Sequence, residues 1–198
     1  MKTIGALTVF PVLAATGFLM FIYSGLWNVA AMIPHSGPVR WVLDTMTLSS
    51  VRARAGGIVP PPRGRSDKNQ GFLLYDRLCV HCHGAPGVCA SEVGLGLGPE
   101  PPSLATRVGR WRDRELFWIM GHGLRSTGMP SFGATRADEE LWSVVAFLRE
   151  LPSLSPEAYL LLRERSEAGQ GDQPSPQAPR PEEERPFEQK EDIQRQAI

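Results

Sequence analysis

Residues 79–83 read Cys79-Val80-His81-Cys82-His83, two cysteines and a histidine at fixed spacing. On a helical turn, two thiols three positions apart can add to the two vinyl groups of one haem. The adjacent histidine then swings under the ring with its imidazole facing the iron. Other chemistries use the same residue types. A redox disulfide belongs in a βαβ setting, and no such alternation is visible in this chain. A zinc site built from Cys79, Cys82, His83 and Cys89 has the right ligand count. Neighbours Cys82 and His83 would point away from each other, however, which suits a tetrahedron poorly. One covalent haem c is therefore the expected cofactor, with His83 as its first axial ligand.

An iron held by His83 has a second axial position. Downstream, Met120, His122 and Met129 carry suitable atoms. Met120 ends the apolar run Leu116-Phe117-Trp118-Ile119-Met120 and reads as core, and His122 sits between Gly121 and Gly123, a setting that ends helices. Met129 lies in Thr127-Gly128-Met129-Pro130, about 45 residues past the cysteines. There glycine allows close approach to a macrocycle and proline stiffens the loop. Met129 is the expected sixth ligand; His122 or an open site are the other readings. Cys89 reads as a bystander thiol, His81 as a spacer residue and His35 as an interfacial polar residue.

Three helices must position these groups. Gly71, Leu74, Tyr75 and Leu78 share one helical face, with Asp67 and Gln70 spaced as a capping box. A second helix is expected from about Arg112 to Met120, ending at Gly121. In a third, Thr135 and Asp138 have capping-box spacing, Leu141, Val145 and Leu148 form a stripe, and Pro152 follows. The glycines between 84 and 98, with Leu95 and Leu97, read as a loop wrapping the haem edge. Phe72, Tyr75, Trp142 and Phe147 read as core.

At this point the sequence resembles the class I c-type cytochromes. Gly71-Phe72-Leu73-Leu74-Tyr75 ahead of Cys79-Val80-His81-Cys82-His83, then Gly128-Met129-Pro130 and the helix around Leu141–Leu148, carry the likeness over residues 66–152. The resemblance implies thioether links at Cys79 and Cys82 and axial ligands His83 and Met129. It also implies a close crossing of the first and last helices at Gly71. Pro102-Ser103-Leu104 matches the family's Pro-x-Leu, so the Pro102 carbonyl would accept the His83 Nδ1 proton and orient the ring; with Pro101 adjacent, the register could shift by one. The fold class expected is all-α, a small cytochrome c-type domain around one haem, preceded by an N-terminal transmembrane helix.

That helix is read from composition. Between Lys2 and His35 no side chain is charged, and roughly Ile4 to Ile33 exceeds the ~20 apolar residues that cross a bilayer. A cleaved signal with a site near Val29-Ala30-Ala31 is the rival, but its apolar region usually spans about 7–15 residues. Residues 1–34 are thus taken as an anchor. In 35–65, Val39, Val42, Leu43 and Met46 fall at i, i+3, i+4, i+7, giving an amphipathic helix that either lies near the headgroups or packs on the main domain. Gly56-Gly57 and Pro60-Pro61-Pro62 follow as a semi-stiff spacer. Residues 153–165 read as a short helix, and 166–198, rich in Pro, Gln and Glu, as a disordered acidic tail.

The charge supports this division. Lys plus Arg and Asp plus Glu both total 21, which speaks against nucleic-acid binding. Yet the balances are +5 over 1–65, −1 over 66–165 and −4 over 166–198. Three cysteines are too few for a disulfide scaffold. The function expected is single-electron transport rather than enzymatic chemistry, with a dehydrogenase, quinol-oxidising complex or terminal oxidase as redox partner. A haem enzyme or gas sensor with an open iron site is the alternative, as is a fixed cytochrome subunit of a dehydrogenase or oxidase complex. Haem attachment of this kind occurs outside the cytoplasm, so the expected location is the bacterial inner membrane, single-pass. The N-terminus would be cytoplasmic and the haem domain periplasmic. Arg40, Arg52 and Arg54 oppose that orientation by the positive-inside tendency.

Overall fold

The computed structural model describes residues 2–62 and 64–170. Among them every regular element is helical. Residues up to Pro34 and those from His35 onward form separate compact units.

The first unit contains α1 (Lys2–Tyr23). It stops ten residues short of the expected Ile33. Gly25 takes φ +68°, a left-handed conformation that ends a helix, and the Ser24 hydroxyl donates to the Phe21 carbonyl at 2.7 Å. Among the described residues no helix is long and apolar enough to cross a membrane.

The second unit is built on α3 (Lys68–Leu78) and α8 (Asp138–Glu150). The two helices cross where a Cβ on Gly71 would overlap the Ser143 carbonyl. Only glycine lets the backbones approach this closely. Leu74, Tyr75, Leu141, Val144, Val145 and Leu148 close the interface, and Phe72 and Tyr75 meet Phe147 with ring centroids 5.5 and 5.4 Å apart. The first helix begins as its sequence dictates, with the Asp67 carboxylate accepting from the Asn69 and Gln70 amides. Gln70 does not complete a capping box: its Oε1 accepts from Ser143 Oγ instead. At α8 the cap falls on Ala137 rather than Thr135. The Glu140 carboxylate accepts from the Ala137 N–H at 2.9 Å, while Thr135 sits in a turn off Phe132.

Packed against α8 is α7 (Asp113–His122), which buries Leu116 and Met120. It runs two residues past the expected stop. Gly123, with φ +68°, is the terminator; Gly121 stays helical, and its carbonyl accepts from the Gly133 amide and the Ser131 hydroxyl. The last helix, α9 (Pro156–Gln170), enters the segment expected to be disordered. Tyr159 is fully buried against Phe72, and its hydroxyl donates to Asp76 at 2.7 Å. Arg163 grips the same carboxylate through Nε and Nη2. The remainder of the expected tail, 171–198, lies outside the described residues.

The helix expected within 35–65 packs on the main domain, one of the two placements its sequence allows. α2 (Gly37–Arg54) and the 3₁₀ turn Ala55–Gly57 belong to the second unit. Val51 and Ala55 are buried, Arg114 donates to the Gly56 carbonyl, and Arg52 lies 4.0 Å from the buried Glu115 carboxylate. The spacer read from Gly56-Gly57 and Pro60-Pro61-Pro62 therefore follows a helix end that is docked on α7.

Candidate haem site

The C-terminus of α3 delivers the motif. Cys79 closes α3 through its amide to Tyr75 O and starts α4 (Val80–His83), accepting from the Cys82 and His83 amides. Gly84, at φ +63°, ends this single turn, and its carbonyl accepts the buried Tyr75 hydroxyl at 2.6 Å. The turn is thereby stitched at both ends to the α3–α8 core.

Behind it passes α5 (Glu92–Leu95). The His81 carbonyl accepts from both the amide and the hydroxyl of Ser91, and a Cβ on Gly94 would overlap the His81 carbonyl and Cys82 Cα. Ser91 and Gly94 were not singled out in the sequence; the glycine-rich run around them reads only as a loop.

All three cysteines are free thiols. Cys79 is buried, and burial, with Cys82 beside it, pushes its thiol up to about 12. Cys82 is half-buried and Cys89 exposed. No three His, Cys, Asp or Glu side chains among the described residues group as a metal site. The zinc reading of Cys79, Cys82, His83 and Cys89 thus has no support in their arrangement.

His83 Nδ1 lies 2.8 Å from the Pro102 carbonyl oxygen. A carbonyl only accepts, so Nδ1 must carry the proton and Nε2 keeps its lone pair. Burial lowers the His83 pKa and outweighs the Pro102 bond, which raises it, so the balance favours the neutral ring that can ligate. Of the two adjacent prolines, it is Pro102 that faces the imidazole. Further along, residues 108–113 are clamped from α8: Arg149 donates to the Val108 and Trp111 carbonyls and to Asp113. Val108 opens and Trp111 follows the 3₁₀ turn that comes after α6 (Leu104–Arg107). Arg149 has no signal in the sequence, since a helix-end arginine is ordinarily solvated.

Met129 is half-buried and borders the hydrophobic cluster that also contains Cys79 and Met120. Its loop is fixed by short-range bonds, Leu124 N–H to Met129 O and Met129 N–H to Thr127 Oγ1. The Leu97 side chain fills the space a Cβ on Gly128 would need, so the 84–103 loop meets the Met129 loop. His122 is engaged elsewhere. Its ring stacks on Trp118 at 4.6 Å, and Nδ1 lies 3.0 Å from the Trp118 carbonyl. Met120 is core, His81 uses only its backbone, and His35 is exposed.

The donor set suits haem: two free thiols at vinyl spacing, a neutral imidazole with Nε2 available, and a half-buried thioether. Residues 66–148 match the family model described as cytochrome C oxidase, cbb3-type, subunit III. No curated protein and no solved structure matches the chain. Residues 66–148 are therefore a class I c-type cytochrome domain, a kind that carries covalently bound haem c and transfers electrons.

Proposed function

We propose that the protein around this class I c-type cytochrome domain is a membrane-anchored, single-haem carrier passing one electron at a time between periplasmic or membrane respiratory complexes. Cys79 and Cys82 would hold the haem as thioethers, and His83 and Met129 would ligate its iron. The haem supplies reversible one-electron chemistry at iron. The chain's part is to orient and to exclude. Pro102 fixes the His83 tautomer and ring direction, and the Met129 sulfur would occupy the position a substrate or gas would need. Thioether ligation also favours the ferrous state and raises the potential.

The observation that supports this reading is the 2.8 Å contact between His83 Nδ1 and Pro102 O, which leaves the Nε2 lone pair free for a metal. The test is spectroscopic and chemical. The reduced, detergent-purified protein is expected to give a low-spin spectrum and to bind carbon monoxide poorly at neutral pH. Of its three cysteines, one, Cys89, should react with a thiol reagent after denaturation. Three reactive thiols, or ready carbon monoxide binding, would overturn the assignment, the latter in favour of an open-site sensor or enzyme.

One observation favours a second reading. The family description names an oxidase subunit, which suits a cytochrome fixed within a terminal oxidase or dehydrogenase complex. Co-purification from mild detergent decides between a free-standing anchored carrier and such a subunit. The uncharged run at 3–34 supports anchoring with the domain on the periplasmic side, where haem is attached. Two of the three arginines that oppose this orientation have local partners, Arg52 at Glu115 and Arg54 at Ser50, which weakens their weight as topological signals.

A further inference from the structure

α2 carries two faces. Val51 and Ala55, near its C-terminal end, are buried on the cytochrome domain. Val42, Leu43 and Met46 are exposed, Met46 by 62%, and Val39 is half-buried. At about 100° per residue these four fall within roughly a 100° arc centred some 150° from the docked face. The stripe therefore points away from the domain that α2 supports. Arg54 falls beside it and Arg40 between it and the docked face, and Asp44 is the only acid in the helix.

Two further facts say what covers the stripe. His35 and Ser36 are the only residues between Pro34, where the uncharged segment ends, and Gly37, where α2 begins. And an aliphatic stripe edged by arginine is the pattern of a helix lying in a bilayer interface, apolar side in the acyl boundary and cations at anionic headgroups. We propose that α2 is a lipid-lying element: its 39–46 stripe rests on the anionic membrane surface, and its docked end holds the cytochrome domain there at one attitude. This rests on the anchored reading above. The haem would then be presented at a fixed height and angle rather than swept through the radius of a flexible tether. The redox partner such a geometry serves is one seated in the same membrane.

The full-length holoprotein, reconstituted in phosphatidylcholine vesicles containing phosphatidylglycerol, tests this with two photoactivatable phospholipids, one reactive at the bilayer centre and one at the headgroup boundary. Trypsin separates the regions, since Thr3–Arg40 and Trp41–Arg52 are distinct peptides. The centre probe is expected to label Thr3–Arg40 and the boundary probe Trp41–Arg52. The second labelling should be lost in the Leu43→Glu/Met46→Glu variant, whose exposed sites leave the haem spectrum unchanged. It should also weaken when phosphatidylglycerol is omitted; equal labelling would overturn the role of the arginines. If only Thr3–Arg40 is labelled, the anchor stands and the docking of α2 is overturned. If only Trp41–Arg52 is labelled, docking stands and the anchor falls; if neither is, both fall. Crosslinking of Trp41–Arg52 to a second copy instead of lipid would overturn the proposal in favour of self-association.

Discussion

Pro102 acts through a single oxygen atom. By accepting from His83 Nδ1 at 2.8 Å it decides the tautomer, and so decides which nitrogen can meet a metal. Met129 is held differently, by a loop whose own amide and carbonyl bonds close within six residues, Leu124 to Met129. A loop so locally fixed should keep its shape when the side chain is cut back. Met129→Ala is therefore expected to leave the haem attached and the domain folded while opening the sixth position. The ferrous variant should bind carbon monoxide readily where the unsubstituted protein does not, an absorption change seen on adding the gas. If the two bind it equally, the sulfur is not a ligand. The haem reading of Cys79, Cys82 and His83 comes from spacing alone, because that spacing is local to one helical turn. The supports around it were not legible in the sequence. Ser91, Gly94 and Arg149 act through contacts 10, 12 and 38–41 residues away in sequence, and no periodicity announces them.

The α3–α8 crossing carries the domain and a local α9 contact is added to it, and each makes a stability prediction. At the α3–α8 crossing, a Cβ on Gly71 would meet backbone, the Ser143 carbonyl, rather than a side chain that can turn aside. Overpacking that only backbone movement can relieve should cost about 3 kcal/mol in Gly71→Ala, the upper end of the usual range, read as a lower denaturation midpoint or as failure to accumulate holoprotein. At the α3–α9 contact, Asp76 serves the buried Tyr159 hydroxyl and the Arg163 fork together. Asp76→Ala strands both donors and should cost about 1–3 kcal/mol, measured by chemical denaturation, with little change in the haem spectrum. Burial of Tyr159, with the Asp76 carboxylate bonded to it, also holds its phenol protonated well above the usual tyrosine range. No loss of this contact is thus expected from tyrosine ionisation as pH rises through 10. The α3–α8 pair was legible as two apolar stripes and a close-crossing glycine. The reach of α9 was not, since Tyr159, its one fully buried side chain among the described residues, is followed by the exposed Leu160 and Leu161 and makes no stripe.

At the scale of the whole molecule the question is what the chain before the domain does. Sequence periodicity found an apolar stripe at 39–46 but could not say that the docked face was the other one, since Val51 and Ala55 lie outside that pattern. The Gly-Pro run that follows α2 reads as a tether only until α2 is seen packed on α7. With α2 part of the domain, two sources of membrane attachment stand out among the described residues: those before His35 and α2's own surface. These sources respond differently to salt. Attraction of arginines to anionic lipid is screened over a Debye length of about 3 Å at 1 M salt, whereas an apolar segment in hydrocarbon is indifferent to it. The uncharged run at 3–34 is about twice the length of an ordinary signal's apolar region, so it should be retained. The mature protein is therefore expected to retain residues 3–34 and to stay in the membrane fraction through a high-salt wash, followed by its haem absorbance. A mature N-terminus near Met32, with the haem protein released by salt, would show that the arginines and the α2 stripe had been the whole attachment. The haem site would be untouched by that result, and the protein would be a carrier that leaves the membrane surface whenever ionic strength rises.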